Sequence, residues 1–236
     1  MDVPLSESAL AAQKLQNEGF YTSWKKTVVK PITFIVHPEA QISDTWMNKR
    51  VQAYVENASI LGVKTSPLNF YVYPSMDFAK DRGVVASFAI PSKREIHGHF
   101  YQSKGHEVTH ILLKQLVDPY KWPWSGLWLE GICVLLDRER PDPKLRFISC
   151  NYSQEVYQKD WTEWRTWLPD EFYPLAANIM AFLSEKFGWS SVKTFLKQLD
   201  FTQKDENAVT LMAFGQDLPH LHAQWDTWRK ELQKLT

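Results

Sequence analysis

Gly105-His-Glu-Val-Thr-His-Ile-Leu-Leu-Lys114 contains two histidines, His106 and His110, separated by Glu107 and two further residues in the spacing H-E-x-x-H. Val108, Ile111, Leu112 and Leu116 recur at helical spacing, and no Gly or Pro interrupts residues 106 to 118, so the stretch is expected to be a helix. On a helix, residues four apart stand one above the other, about 6 Å along the axis. Both imidazoles then share a face and can converge on one metal ion, with Glu107 beside the ion's open position. That chemistry is hydrolysis by a metal-activated water, with Glu107 as general base. A ligand set with a third histidine six residues after the second is excluded, because residue 116 is Leu.

Downstream, Gly126-Leu-Trp-Leu-Glu-Gly-Ile-Cys-Val-Leu-Leu-Asp137 reads as a second buried helix carrying one interior acid, Glu130. A carboxylate among Trp128, Leu129, Ile132 and Val134 is costly to bury without compensation, and a cation supplies it. Two histidines and one glutamate are a recurring protein ligand set for catalytic zinc, with water in the fourth position. The expected cofactor is therefore one zinc ion per chain on His106, His110 and Glu130. Cys133, three residues after Glu130 in the same apolar pattern, reads as a buried thiol. With Cys150 it makes no disulfide framework.

These blocks resemble the gluzincin metallopeptidases of the thermolysin-like clan, particularly their small peptidase MA-like domains. Gly105 to Leu113 is similar to the family's H-E-x-x-H helix, Leu127 to Cys133 to the helix that donates the glutamate ligand, and Phe172 to Gly188 to the helix that follows. Phe214 to Leu218, followed by Trp225, Trp228 and Leu232, is similar to its closing helix, so the likeness spans roughly residues 84 to 236. It implies a zincin-like α+β fold, a peptide or protein substrate, and a role for Tyr173 as a phenol facing the site. The Gly-x-Met-Glu-Asn segment with which the family's aminopeptidases hold an amino terminus is absent between residues 60 and 104, which speaks against that specificity. Thermolysin has an Asp four residues after its third ligand that orients a zinc histidine; here that position is Val134, which leaves the partners of His106 and His110 unassigned. Two other readings remain: a gluzincin-shaped binding protein that has lost turnover, and a metal-dependent hydrolase of a non-peptide amide.

The expected organisation is an amino-terminal α/β lobe, residues 1–114, holding a mixed sheet and the H-E-x-x-H helix, and a helical carboxy-terminal lobe, residues 115–236. Residues 5 to 18 read as a leading helix. Pro31 to His37 and Leu68 to Tyr73 read as strands joined by a helix that Ser43 or Asp44 caps. Val84 to Ile90 and Glu95 to Phe100 read as two more strands around a turn, the first of them a candidate edge for pairing with an extended substrate. His97 and His99 read as surface or supporting groups beside the site. Val117 to Ser125, rich in Pro and Trp, reads as a loop with Asp118 a poor ligand candidate, and Asp200 to Asn207 as a polar loop. Trp161 and Trp164 are expected to share a helical face in the core, or else to border a substrate cleft.

The chain of 236 residues balances 27 Lys and Arg against 27 Asp and Glu, so it shows no electrostatic footprint for nucleic acid. No apolar run approaches the roughly 18 residues of a membrane span. The expected location is the cytoplasm, with secretion the alternative if a leader has been removed. Oligomeric state is not legible.

Overall fold

The computed structural model describes residues 6–117, 126–137, 152–199 and 205–234. The Pro- and Trp-rich stretch 118–125, with Asp118, lies outside the described residues, as do Cys150 and the first part of the expected polar loop, 200–204. The chain divides into two units, Met1–Gln115 and Leu116–Thr236. The first is α+β and, among the described residues, the second is helical. Among the described residues no helix is long and apolar enough to cross a membrane.

The first unit is built on a five-stranded mixed sheet. Helix α1 (Glu7–Asn17) leads into β1 (Lys25–Val29) and β2 (Ile32–Val36), an antiparallel pair. Helix α2 (Asp44–Leu61) follows, started by the Ser43 hydroxyl, which accepts the Trp46 N–H at 3.1 Å, and stopped by Gly62 at φ 65°. It carries the chain over to β3 (Leu68–Tyr73), which pairs parallel with β2, as a crossover requires. A short helix α3 (Met76–Lys80), β4 (Phe88–Ile90) and β5 (Glu95–His99) complete the unit up to helix α4 (His106–Leu113). The strand order is β1-β2-β3-β5-β4, with β5 parallel to β3 and β4 antiparallel at the edge. Aromatic side chains hold α2 to one face of the sheet, the Trp46 ring lying 5.9 Å from Phe34 and 5.8 Å from Phe70.

The structure adds one strand to this unit and corrects two readings. β1 is a strand, although Lys25-Lys-Thr-Val-Val29 carries little apolar signal; it is an edge strand with mostly solvated side chains. The strand expected over residues 84–90 covers only Phe88–Ile90. The backbone ahead of it is engaged elsewhere: the Val84 N–H bonds to Ala79 O at 3.0 Å and the Val85 N–H to the Ser8 hydroxyl at 3.1 Å. His97 is not a surface group. It is 1% exposed and sandwiched between Tyr71 and Phe88, with ring centroids at 4.5 and 4.9 Å and planes within 7° of parallel. Its Nδ1 lies 3.1 Å from the Tyr73 hydroxyl, which lies 2.7 Å from that of Tyr21. β5 is an interior strand, so the alternation of exposed and buried positions that would mark a surface histidine is missing.

The second unit is organised around helix α5 (Gly126–Leu135) packed on helix α7 (Pro169–Gln198); between them lie the short helix α6 (Gln154–Tyr157) and a 3-10 turn, Trp161–Thr166. Gly131 makes the close approach of α5 to α7, because a Cβ there would stand 2.5 Å from the Ala176 carbonyl oxygen. α7 breaks at Gly188, at φ 77°. It begins at Pro169, earlier than the expected Phe172, and Pro174 therefore sits inside it. Pro174 cannot donate to the carbonyl four residues back, that of Asp170, and the Tyr152 hydroxyl donates to that carbonyl instead, at 2.7 Å. Helices α8 (Glu206–Phe214) and α9 (Leu218–Gln233) close the unit, and the buried Trp225 of α9 donates its indole N–H to Asn178 of α7 at 2.7 Å.

Burial of His97 generates a pH dependence. Loss of hydration holds its pKa down to about 3, against an ordinary value near 6.5. Between those values the unfolded chain takes up a proton that the folded chain refuses. The contribution is therefore complete above about pH 6.5 and is lost as pH falls toward 3. Replacing His97 by Gln should remove it. In urea unfolding of chelator-treated protein, the stability of wild type relative to the variant should shrink by up to about 1.4 kcal/mol per pH unit between pH 6.5 and 4. A difference independent of pH would show that His97 protonates in the folded chain.

Candidate metal centre

Helix α4 begins without a side-chain cap, since its N-cap is Gly105. Its position comes from α2 instead. The buried Arg50 donates to Trp46 O at 3.2 Å and to Gln102 O, and its guanidinium lies 3.4 Å from the centre of the Trp46 ring. The Trp46 indole donates to Phe100 O at 2.8 Å. Two carbonyls of the loop that enters α4 are thus tied to one face of α2. One turn into α4, the Thr109 hydroxyl donates to Gly105 O at 2.6 Å and accepts from the Asn57 side-chain amide at 2.9 Å. Thr109 and Asn57 are both fully buried, so these bonds form away from competing water.

The helix held in this way places the two histidines as their spacing implies. His106 is half-buried and His110 is 9% exposed. The two Nε2 atoms lie 3.3 Å apart. Two nitrogens at Zn–N bond lengths of about 2.0–2.1 Å with a tetrahedral angle between them are separated by about 3.3–3.4 Å. The pair thus already has the separation of one edge of a zinc tetrahedron. Glu130, on α5, completes the group: one ligand atom each from His106, His110 and Glu130 lie within 4.8 Å of one another. The donor set, two imidazoles and a carboxylate, is close enough to bind a metal ion and is of the borderline-hard kind that divalent transition metals take.

Glu107 lies in the first turn of α4 and is 6% exposed. A carboxylate is favoured there by the helix dipole. Gln102, on the pinned loop, extends its side-chain amide to Glu107 Oε1 at 3.3 Å. This contact was not legible in the sequence. A glutamine five residues from a glutamate, across a loop, has no periodicity that would pair them. Arg50 and Asn57 did leave a signal, for both are polar residues on the apolar face of α2 that Trp46, Tyr54 and Leu61 define.

Tyr173 stands in the second turn of α7, 38% exposed, with its ring 5.1 Å from that of Phe172. It lies inside the helix, which starts at Pro169. His99 is half-buried at the end of β5 and its pKa is lowered by burial. The chain matches no known family model and no curated protein sequence.

The wild-type chain should bind one divalent transition-metal ion, and His110→Ala should lose most of it. The measurement is metal content by mass spectrometry after dialysis against trace zinc. Full occupancy in the variant would remove His110 from the ligand set.

Proposed function

We propose that this chain is a zinc-dependent metallopeptidase of the gluzincin type. The observation that carries the reading is the grouping of the His106, His110 and Glu130 ligand atoms, with Glu107 next to the first of them on the same helix. Two histidines and a glutamate are one of the few protein ligand sets that recur in catalytic zinc sites. Bound zinc would lower the pKa of a coordinated water to about 7 and polarise a substrate carbonyl. The remaining work falls to the chain's own side chains. Glu107 accepts the proton of the attacking water and returns it to the leaving amine, acting first as base and then as acid. The Gln102 amide restrains one oxygen of that carboxylate. Tyr173 donates a hydrogen bond to the oxyanion of the tetrahedral intermediate, a role that rests on the resemblance to the family.

The deciding experiment is cleavage of a broad peptide library by the zinc-loaded chain, with Glu107→Gln as the control. That substitution retains hydrogen bonding but cannot accept a proton at neutral pH. Turnover should fall by about 100- to 10,000-fold with metal content and melting temperature unchanged. Cleavage that survives within a few-fold would show that Glu107 is not the base.

Tyr173→Phe separates a catalytic phenol from a packing one. A donor to the oxyanion acts only as negative charge develops, so its loss should lower kcat by about 100- to 1,000-fold while leaving KM nearly unchanged. A phenol that serves packing alone would lower the melting temperature and preserve kcat at saturating substrate, and that result would remove Tyr173 from the mechanism.

A further inference from the structure

The second unit contains a cavity of about 670 Å³ that none of the candidate metal ligands lines. This volume lies within the range of roughly 300–1,000 Å³ typical of small-molecule sites. Its lining includes three carboxylic acids, Asp160, Asp205 and Glu206, two indoles, Trp161 and Trp164, and the imidazole of His222. Among the described residues no Lys or Arg lines it. Burial lowers the pKa of His222, so that ring brings no positive charge at neutral pH. The described part of the wall is therefore acidic and aromatic at once.

Two of the acids also cap the elements that carry them. Asp160 Oδ1 accepts the Thr162 N–H and hydroxyl, both at 2.8 Å, at the head of the 3-10 turn. Asp205 Oδ1 accepts the Asn207 N–H at 2.9 Å at the head of α8. Trp161 supplies an independent observation. It is 2% exposed, lines the cavity, and its indole N–H has no hydrogen-bond acceptor among the described residues. Buried indole N–H groups ordinarily find an acceptor, because leaving a buried donor unmade is costly. His222 stands beside it, with rings 5.4 Å apart, and its Nε2 likewise has no partner among the described residues.

We propose that this cavity binds the guanidinium group of an arginine amide or of an arginine side chain in a peptide. A guanidinium is planar, always charged and weakly hydrated; it stacks on indole faces and donates paired hydrogen bonds to carboxylates. The backbone carbonyl at the other end of that side chain is an acceptor of the kind the Trp161 N–H lacks. The ammonium of lysine matches the charge but not the flat aromatic walls.

The test is calorimetric titration of the intact chain with Nα-acetyl-arginine amide, with the neutral isostere Nα-acetyl-citrulline amide, and with an acetylated, amidated tetrapeptide containing one internal arginine. Saturable binding of the arginine compounds, with citrulline at least about tenfold weaker, is expected, since charge-assisted bonds are roughly twice as strong as neutral ones. Equal affinity for the amide and the tetrapeptide would assign the site to the free cation, and much tighter tetrapeptide binding to a peptide-borne one. The variant D160N/D205N keeps both caps, because Asn caps helices as well as Asp. It should fold with unchanged circular dichroism and bind arginine amide at least tenfold more weakly. Trp161→Phe should weaken the arginine and citrulline compounds alike. The inference is overturned if citrulline binds as well as arginine, if D160N/D205N binds arginine amide unchanged, or if no saturable heat appears at millimolar ligand. The titration needs no bound metal, so its outcome is independent of the metallopeptidase reading.

Discussion

The arrangement of the histidine helix depends on a buried cation. Arg50 is 1% exposed, and a guanidinium taken so far from water is tolerable only where its hydrogen bonds and its charge are met. Its two terminal nitrogens donate to the carbonyls of Trp46 and Gln102, and its charge lies over the face of the Trp46 ring. The last residues before α4 are thereby held to α2, and the Asn57 to Thr109 bond repeats the attachment one turn further on. A loop tied at both levels leaves little freedom in where His106 and His110 begin. Catalytic groups need support of this kind, because small displacements of reacting atoms are costly in rate.

Within that frame the metal-binding logic is local. Four residues of helix set the two imidazoles edge to face, and the 3.3 Å between their Nε2 atoms is close to what one tetrahedral zinc would ask of them. Glu107, on the next residue from His106, shares the helix's rigidity and the field of its amino terminus. Glu130 is placed by different means. It sits on a helix whose neighbours are almost all buried hydrophobics, and Gly131 lets that helix approach the backbone of α7 closely. Any larger residue at 131 would push α5 outward.

The tryptophans of the second unit serve both packing and, in the cavity, recognition. Trp128, Trp161 and Trp225 form an edge-to-face chain with centroids 5.9 and 5.8 Å apart, and Trp225 satisfies its N–H on Asn178. Trp161, in the middle of that chain, has its ring in the core and its N–H without an acceptor. Trp161 and Trp164 do share a face, through the three-residue repeat of a 3-10 turn rather than an α-helix.

By itself the sequence determined what short-range geometry controls. The helical spacing of His106 and His110, the solitary acid Glu130 in an apolar helix, the Ser43 cap and the strand-helix-strand order of the first unit all follow from local periodicity and local hydrogen bonding. Tertiary structure alone decided the features that join distant residues. His97 became a core group because β5 lies between two strands with both faces covered; its position within Glu95 to His99 says nothing of that. Residues 84–87 left the sheet because α3 and Ser8 claimed backbone donors that strand pairing would have used. Gln102 met Glu107 only because Arg50, 52 residues earlier, holds its loop in place. The physical reason is common to all three. A residue's own preferences set its local conformation, whereas its burial and its partners are set by whichever distant segment arrives to compete with water for them.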